Sequence, residues 1–125
     1  MTTAEIANRL IELVRAWEFE KVYAELYSPD VISIESSPHS PNVMGFDGLK
    51  KKSEAWNEML EELHGIQVSE PIVAADFFSV KYIMDITYKG APRVTEDEIA
   101  IYQVKEGKII MEKYYYAIPE TPEQG

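Results

Sequence analysis

A chain of 125 residues, 46% of them apolar, is long enough to bury a core as one domain without disulfide or metal staples. It has no cysteine, which excludes disulfides, thiolate chemistry and cysteine-based metal sites. Its 12 basic and 22 acidic residues give a formal charge of −10, the wrong sign for a nucleic-acid partner. The opening MTTAEIANRL lacks the basic start and apolar run of a signal peptide. No stretch approaches the roughly 18 apolar residues of a membrane span, so no membrane partner and a cytoplasmic location are expected.

Helical spacing governs the first quarter. Ile6, Leu10, Leu13, Val14 and Trp17 recur at three- and four-residue steps, as one buried helical face requires. Thr2 or Thr3 suits the N-cap, with Glu5 or Ile6 in the first turn. Phe19, Val22, Tyr23, Leu26 and Tyr27 define a second, short helix. Ser28-Pro29-Asp30 should stop it, because the residue before a proline is pushed out of the α region. A strand follows over Val31–Glu35, then a loop from Ser36 to Met44 holding Pro38 and Pro41. The spacing predicts a third helix from about Gly48 to His64, with Leu49, Trp56, Met59, Leu60 and Leu63 on one stripe and His64-Gly65 as its stop.

Everything after Gly65 reads as strand. IQVSEPIVA and FFSVKYIMDITY are separated by a turn at Ala75-Asp76, and KGAP turns into VTEDEIAIYQV. The last hairpin is KEGKIIMEKYYYA, in which Gly107 suits the left-handed position of a three-residue loop with a bulge. Residues 1–118 are expected to form the single domain, and 119–125, in a Pro- and Glu-rich tail, to fray. Three helices against one antiparallel sheet make an α+β layout, and a curved sheet would leave room for a ligand.

This order, with ELYSPDVISIE, GLKKKSEAW, DEIAIYQV and GKIIMEKYYY, resembles the NTF2-like superfamily and, within it, the SnoaL-like branch, from the first helix to Tyr116. The resemblance implies a cone-shaped barrel: three N-terminal helices packed on a curved, mainly antiparallel sheet, enclosing a pocket and often dimeric through the sheet. It leaves the activity open, since relatives include isomerases, cyclases, hydrolases, dehydratases and non-catalytic binding domains. Beside ketosteroid isomerase, Glu35 falls at the general-base aspartate, five residues on from Asp30. That relative's acidic hydrogen-bond donor corresponds to Ala100 and its tyrosine donor to about Leu10. Both oxyanion donors are thus missing, which argues against steroid isomerisation.

A three-residue loop at 105–107 pairs Val104 with Lys108, Tyr102 with Ile110, Ala100 with Glu112 and Glu98 with Tyr114. Alternation then puts Glu98, Ala100, Tyr102, Glu112, Tyr114 and Tyr116 on one face, which the resemblance makes the concave one. Asp85, Asp97, Lys113 and Tyr115 fall on the outer face, Asp85 pairing with Lys113 or a partner's backbone. A one-residue slip would exchange the two sets.

Glu35 is the candidate general base, because an apolar cavity disfavours its charged form, and Glu112, if also inward, adds repulsion. Alternatively, Glu35 sits in water at the strand end or pairs with a lysine. His39 is the candidate proton relay, or else a solvated loop residue. Trp56, Met84, Glu98, Tyr102, Tyr114 and Tyr116 are candidate ligand contacts, a phenol offering an apolar body and a polar tip. Core and dimer interface are the alternatives for the tyrosines, and core for Trp17 and Trp56. Metal and other cofactors are not expected: His39 and scattered carboxylates lack a compact ligand spacing, and His64 ends the predicted third helix. Ser33, Ser36 and Ser37 come with no nucleophile elbow or oxyanion hole, and DGLKKK lacks the glycines of a phosphate loop. The expectation is a homodimer through the outer sheet face that binds a small apolar or mixed-polarity metabolite. It would act as a cofactor-free isomerase, cyclase or hydrolase, or else as a non-catalytic ligand-binding or dimerisation domain.

Overall fold

A computed structural model describes residues 1–38 and 40–118. Helix α1 (Thr3–Arg15) opens on a capping box: the Thr2 hydroxyl accepts from the Glu5 amide, and the Glu5 carboxylate accepts from the Thr2 amide. Its stripe buries Ile6, Ala7, Leu10, Ile11, Leu13 and Val14. Trp17 does not extend that stripe. The helix ends at Arg15, and Trp17 takes a positive φ of 59° that turns its ring outward, leaving it 47% exposed.

Helix α2 (Phe19–Leu26) buries Val22 and Leu26. Strand β1 (Tyr27–Glu35) then starts four residues before the expected position, and Tyr27 belongs to it rather than to the helix. The proline that excludes helix at Ser28 favours the extended backbone that a strand needs. Its missing N–H falls within the irregular part of the ladder, between Tyr27 and Ile32. The loop after β1 contains a short strand, β2 (Val43–Met44).

Helix α3 spans Gly45–Met59, so Leu60, Leu63 and His64 lie in strand β3 (Leu60–Val68), not in a helix that ends at His64. The physical reason is a pair of bulges. Leu60, Leu63 and Ile66 stand opposite Tyr88, Ile86 and Met84, and the register shifts once in each interval. A three-residue spacing thereby stays on one face of a strand and imitates helical periodicity. Of the α3 stripe only Leu49 is buried, and Met59 is 57% exposed.

The rest of the predicted single strand IQVSEPIVA is divided at Ser69–Pro71, and β4 (Ile72–Ala74) follows. Both β3 and β4 pair with β5 (Phe77–Tyr88), which pairs with β6 (Val94–Lys105), and that with β7 (Lys108–Tyr116). The sheet order is β2-β1-β7-β6-β5-β3; β1 runs parallel to β7 and the other pairings are antiparallel. Three helices and a mixed seven-stranded sheet make the expected α+β fold.

The last hairpin corrects the predicted register. Its loop has two residues, Glu106 and Gly107, both at positive φ, closed by Lys105 opposite Lys108. A bulge then inserts one extra residue in β7, because Val104 faces Ile109 while Gln103 faces Met111. The two one-residue differences add to two, so each side chain keeps its expected face while its partner changes: Tyr102 faces Glu112, Ala100 faces Tyr114 and Glu98 faces Tyr116.

The core lies between the helices and the sheet face that carries Phe78, Val80, Tyr82, Ala100, Tyr102 and Ile109. The Phe78 and Tyr102 rings stack at 4.7 Å. On the opposite face Ile32, Ile99 and Tyr115 are exposed and Lys81 pairs with Asp97 at 3.5 Å. Asp85 pairs with Arg93, at 2.8 and 2.6 Å, and not with Lys113. The β5–β6 hairpin returns Arg93 beside it, whereas the Lys113 ammonium lies 5.0 Å above the Tyr115 ring. The fraying expected for 119–125 lies outside the described residues. Among the described residues no helix is long and apolar enough to cross a membrane.

Candidate active site on the concave face

Parallel pairing of β1 with β7 sets Ser33 beside Glu112 and Glu35 beside Tyr114. Glu112 is only 1% exposed, and its carboxylate accepts three hydroxyl hydrogen bonds: from Tyr27, from Ser33 at 2.6 Å and from Tyr114 at 2.8 Å. A buried carboxylate persists only with such partners. Burial foremost, and then the Glu112 charge, holds the Tyr27 and Tyr114 phenols well above the ordinary tyrosine range, so both remain donors. The hydroxyl chain continues inward, from Tyr114 to Tyr102 and from Tyr102 to Tyr82 at 2.7 Å.

Helix α3 adds a cation. With Leu49 buried, Lys52 one turn later points at the sheet, and its ammonium sits over the Tyr114 ring at 4.9 Å. It donates to the Ser33 hydroxyl at 2.7 Å and ion-pairs with Glu35. Of the alternatives weighed for Glu35, pairing with a lysine is the arrangement present. The Tyr116 hydroxyl also bonds Glu35, and burial together with that bond raises the phenol's pKa.

Glu98 stands on the same face, opposite Tyr82 on β5 and Tyr116 on β7. It is partly buried, and among the described residues it has no hydrogen-bond or ion-pair partner. Desolvation first, then repulsion from Glu35, lifts its carboxyl from the ordinary 4.5 to about 7; Glu112 and Glu96 add to this and Lys52 opposes it. Next along the face, Tyr88 donates to Glu96 at 2.6 Å and bonds the Trp56 indole, its phenol raised to about 12 by burial and then by the Glu96 bond. Met84, partly buried, faces Glu96 across the β5–β6 ladder.

The structure therefore brings together Glu35, Glu98, Glu112, Tyr114 and Tyr116, with Trp56 and Met84 alongside. Glu112 and Tyr102 are sealed, each 1% exposed, and present no open surface to a ligand. His39 lies outside the described residues. His64 lies on β3, bonded to Thr87 at 2.8 Å and Glu62 at 2.9 Å, rather than at a helix end. Among the described residues no group of three or more His, Asp or Glu is disposed to hold a metal ion. Two surface depressions, one along Gln67–Ser69 with Lys81 and Ile83 and one along Trp17–Lys21, belong to other parts of the molecule. Neither Lys52 nor Tyr27 stands out in the sequence as a site residue. The only local signal for Lys52 was its three-residue offset from Leu49, hidden in the run Lys50-Lys51-Lys52.

Comparison with known proteins adds an independent observation. The SnoaL-like domain family matches residues 1–116. A Mesorhizobium loti protein, described both as a candidate SnoaL-like polyketide cyclase and as a carbohydrate phosphatase, is 36% identical, with a TM-score of 0.86 over 93% of this chain and 100% of that one. A candidate polyketide cyclase of Pseudomonas putida is 22% identical, with a TM-score of 0.69 over 94% and 93% of the two chains. A Catenulispora acidiphila protein with a ketosteroid isomerase-like fold, solved with trimethylamine, is 15% identical, with a TM-score of 0.73 over 91% and 86%. At those identities the last two share the fold. No curated protein matches the chain.

Proposed function

Because the chain belongs to the SnoaL-like domain family, we propose that it binds a small metabolite of apolar or mixed polarity at the concave face and moves a proton there without a cofactor, with Glu98 as the exchanging carboxyl group. The observation that carries this reading is Glu98: partly buried, unpartnered among the described residues and raised to about 7 by desolvation and by Glu35. A group with that pKa holds both protonation states near neutrality, as a general acid or base must. Glu35 occupies the base position by resemblance, but a proton placed on it would break its pair with Lys52. Glu98 is thus the better base and Glu35 its electrostatic partner. Isomerisation, cyclisation and hydrolysis all use such a group; the description of the Mesorhizobium loti protein makes cyclisation the first reaction to try.

A second reading, a non-catalytic ligand-binding or dimerisation domain, is favoured by one specific observation. Glu112 and Glu35 are satisfied by partners within the chain, as structural carboxylates are. In either case the exposed Ile32, Ile99 and Tyr115 support a homodimer through the outer sheet face.

A native mass spectrum of gently purified protein, then denaturation to release anything bound, tests both points. The expected species is a dimer carrying an extra small-molecule mass. With a reaction found for that compound class, Glu98→Gln should lower turnover by about 10² or more while binding survives. Unchanged turnover removes Glu98 as the base, and an empty monomer removes the interface.

A further inference from the structure

We infer that Lys52 decides which carboxyl group of the site exchanges a proton: it fixes Glu35 as a charged partner and leaves Glu98 as the exchangeable one. The inference rests on the reading of Glu98 above. Lys52 is a positioning residue, because its ammonium is already occupied in three directions. It reaches the Glu35 carboxylate, the Ser33 hydroxyl at 2.7 Å and the face of Tyr114 at 4.9 Å. Through Ser33, which donates onward to Glu112, it is tied to a second carboxylate.

The groups facing Glu98 are Glu35 from β1, Lys52 from α3, Glu112 and Tyr116 from β7, Glu96 from its own strand, and Tyr82 and Tyr88 from β5. Four carboxyl groups therefore share one ammonium in a partly dry space. They cannot all ionise at no cost, and the proton settles on the one with the fewest donors. Glu112 has three hydroxyls, Glu96 has Tyr88, and Glu35 has Lys52 and Tyr116. Glu98 has none among the described residues. Without the ammonium, Glu35 would retain only Tyr116, and Glu98 would lose the one cation that opposes its neighbours' repulsion.

The test is a carboxyl-carbon NMR titration of the glutamate-labelled full chain, in wild type, Lys52→Met, Lys52→Arg and Glu35→Gln. In Lys52→Met the lowering effect of the ammonium on Glu98 is gone, so the Glu98 midpoint should climb by about one pH unit. Lys52→Arg should restore the wild-type curve. In Glu35→Gln the repulsion is gone and the ammonium remains, so the Glu98 midpoint should fall. A folded Lys52→Met protein in which neither carboxyl moves overturns the inference. Should Lys52→Met not fold, a Glu98 midpoint that stays or rises in Glu35→Gln overturns it alone. A wild-type Glu98 that titrates as an ordinary glutamate would sink the proposed function itself. A neutral midpoint indifferent to Lys52 would leave that function standing.

Discussion

Replacing Glu112 by alanine should destabilise the fold by about 3–5 kcal/mol, the range for breaking a buried charged network by removing one partner. The carboxylate is 1% exposed and receives Tyr27, Ser33 and Tyr114. Its loss leaves a cavity where the three hydroxyls met their shared acceptor, with Tyr114 keeping its bond to Tyr102, and the Lys52 ammonium loses the negative charge behind Ser33. Glu112→Gln should cost less, about 1–3 kcal/mol. Its amide oxygen can still accept from both tyrosines, while its amide nitrogen turns a donor toward Ser33, which must then accept from two sides. Urea denaturation of the two variants checks both the size and the order. A loss below about 1 kcal/mol for the alanine variant would mean that the network is not what holds β1 against β7.

The second large effect concerns pH and has the opposite sign. A carboxyl group whose folded pKa exceeds its unfolded one binds more protons in the folded state between the two values. Its stabilising contribution is thus complete below the ordinary 4.5 and is lost as pH climbs through about 7. Glu98→Gln cannot titrate and escapes this loss. It should match the wild type in acid and be more stable by about 3 kcal/mol at mildly alkaline pH. On the proposed function the same substitution should lower turnover by about 10² or more, so stability and turnover would move in opposite directions. Stability curves that run parallel for the two proteins across that window would contradict the assignment.

The sequence carried the fold wherever its signals are local. Thr2 and Glu5 announce the first helix, and the β-branched, aromatic runs from Phe77 to Tyr116 announce three strands. It failed where a local pattern has two structural causes. Leu60, Leu63 and Ile66 are spaced like a helix because two bulges sit between them, and nothing in the residues themselves marks a bulge. Pro29 signals the end of a helix, yet the same φ restriction permits strand, and Tyr27 therefore opens β1 instead of closing α2.

The concave set survived for a reason the sequence did not contain. The hairpin loop and the bulge at Ile110 each displaced the register by one, and a displacement of two preserves the face. Glu98 and Glu35 could be placed on that face from alternation and resemblance. Their division of labour could not, because it depends on a lysine 17 positions from one and 46 from the other in the sequence. In the sequence Lys52 is one of three consecutive lysines, and only the packing of Leu49 selects it.

The proposed function requires a glutamate on this face that exchanges its proton near neutrality. The carboxyl-carbon shift of Glu98 in the wild-type protein, followed from acid to alkaline pH, tests it most directly. The expected midpoint is about 7. A midpoint at the ordinary 4.5 would overturn the proposal, leaving Glu98 a solvated carboxylate.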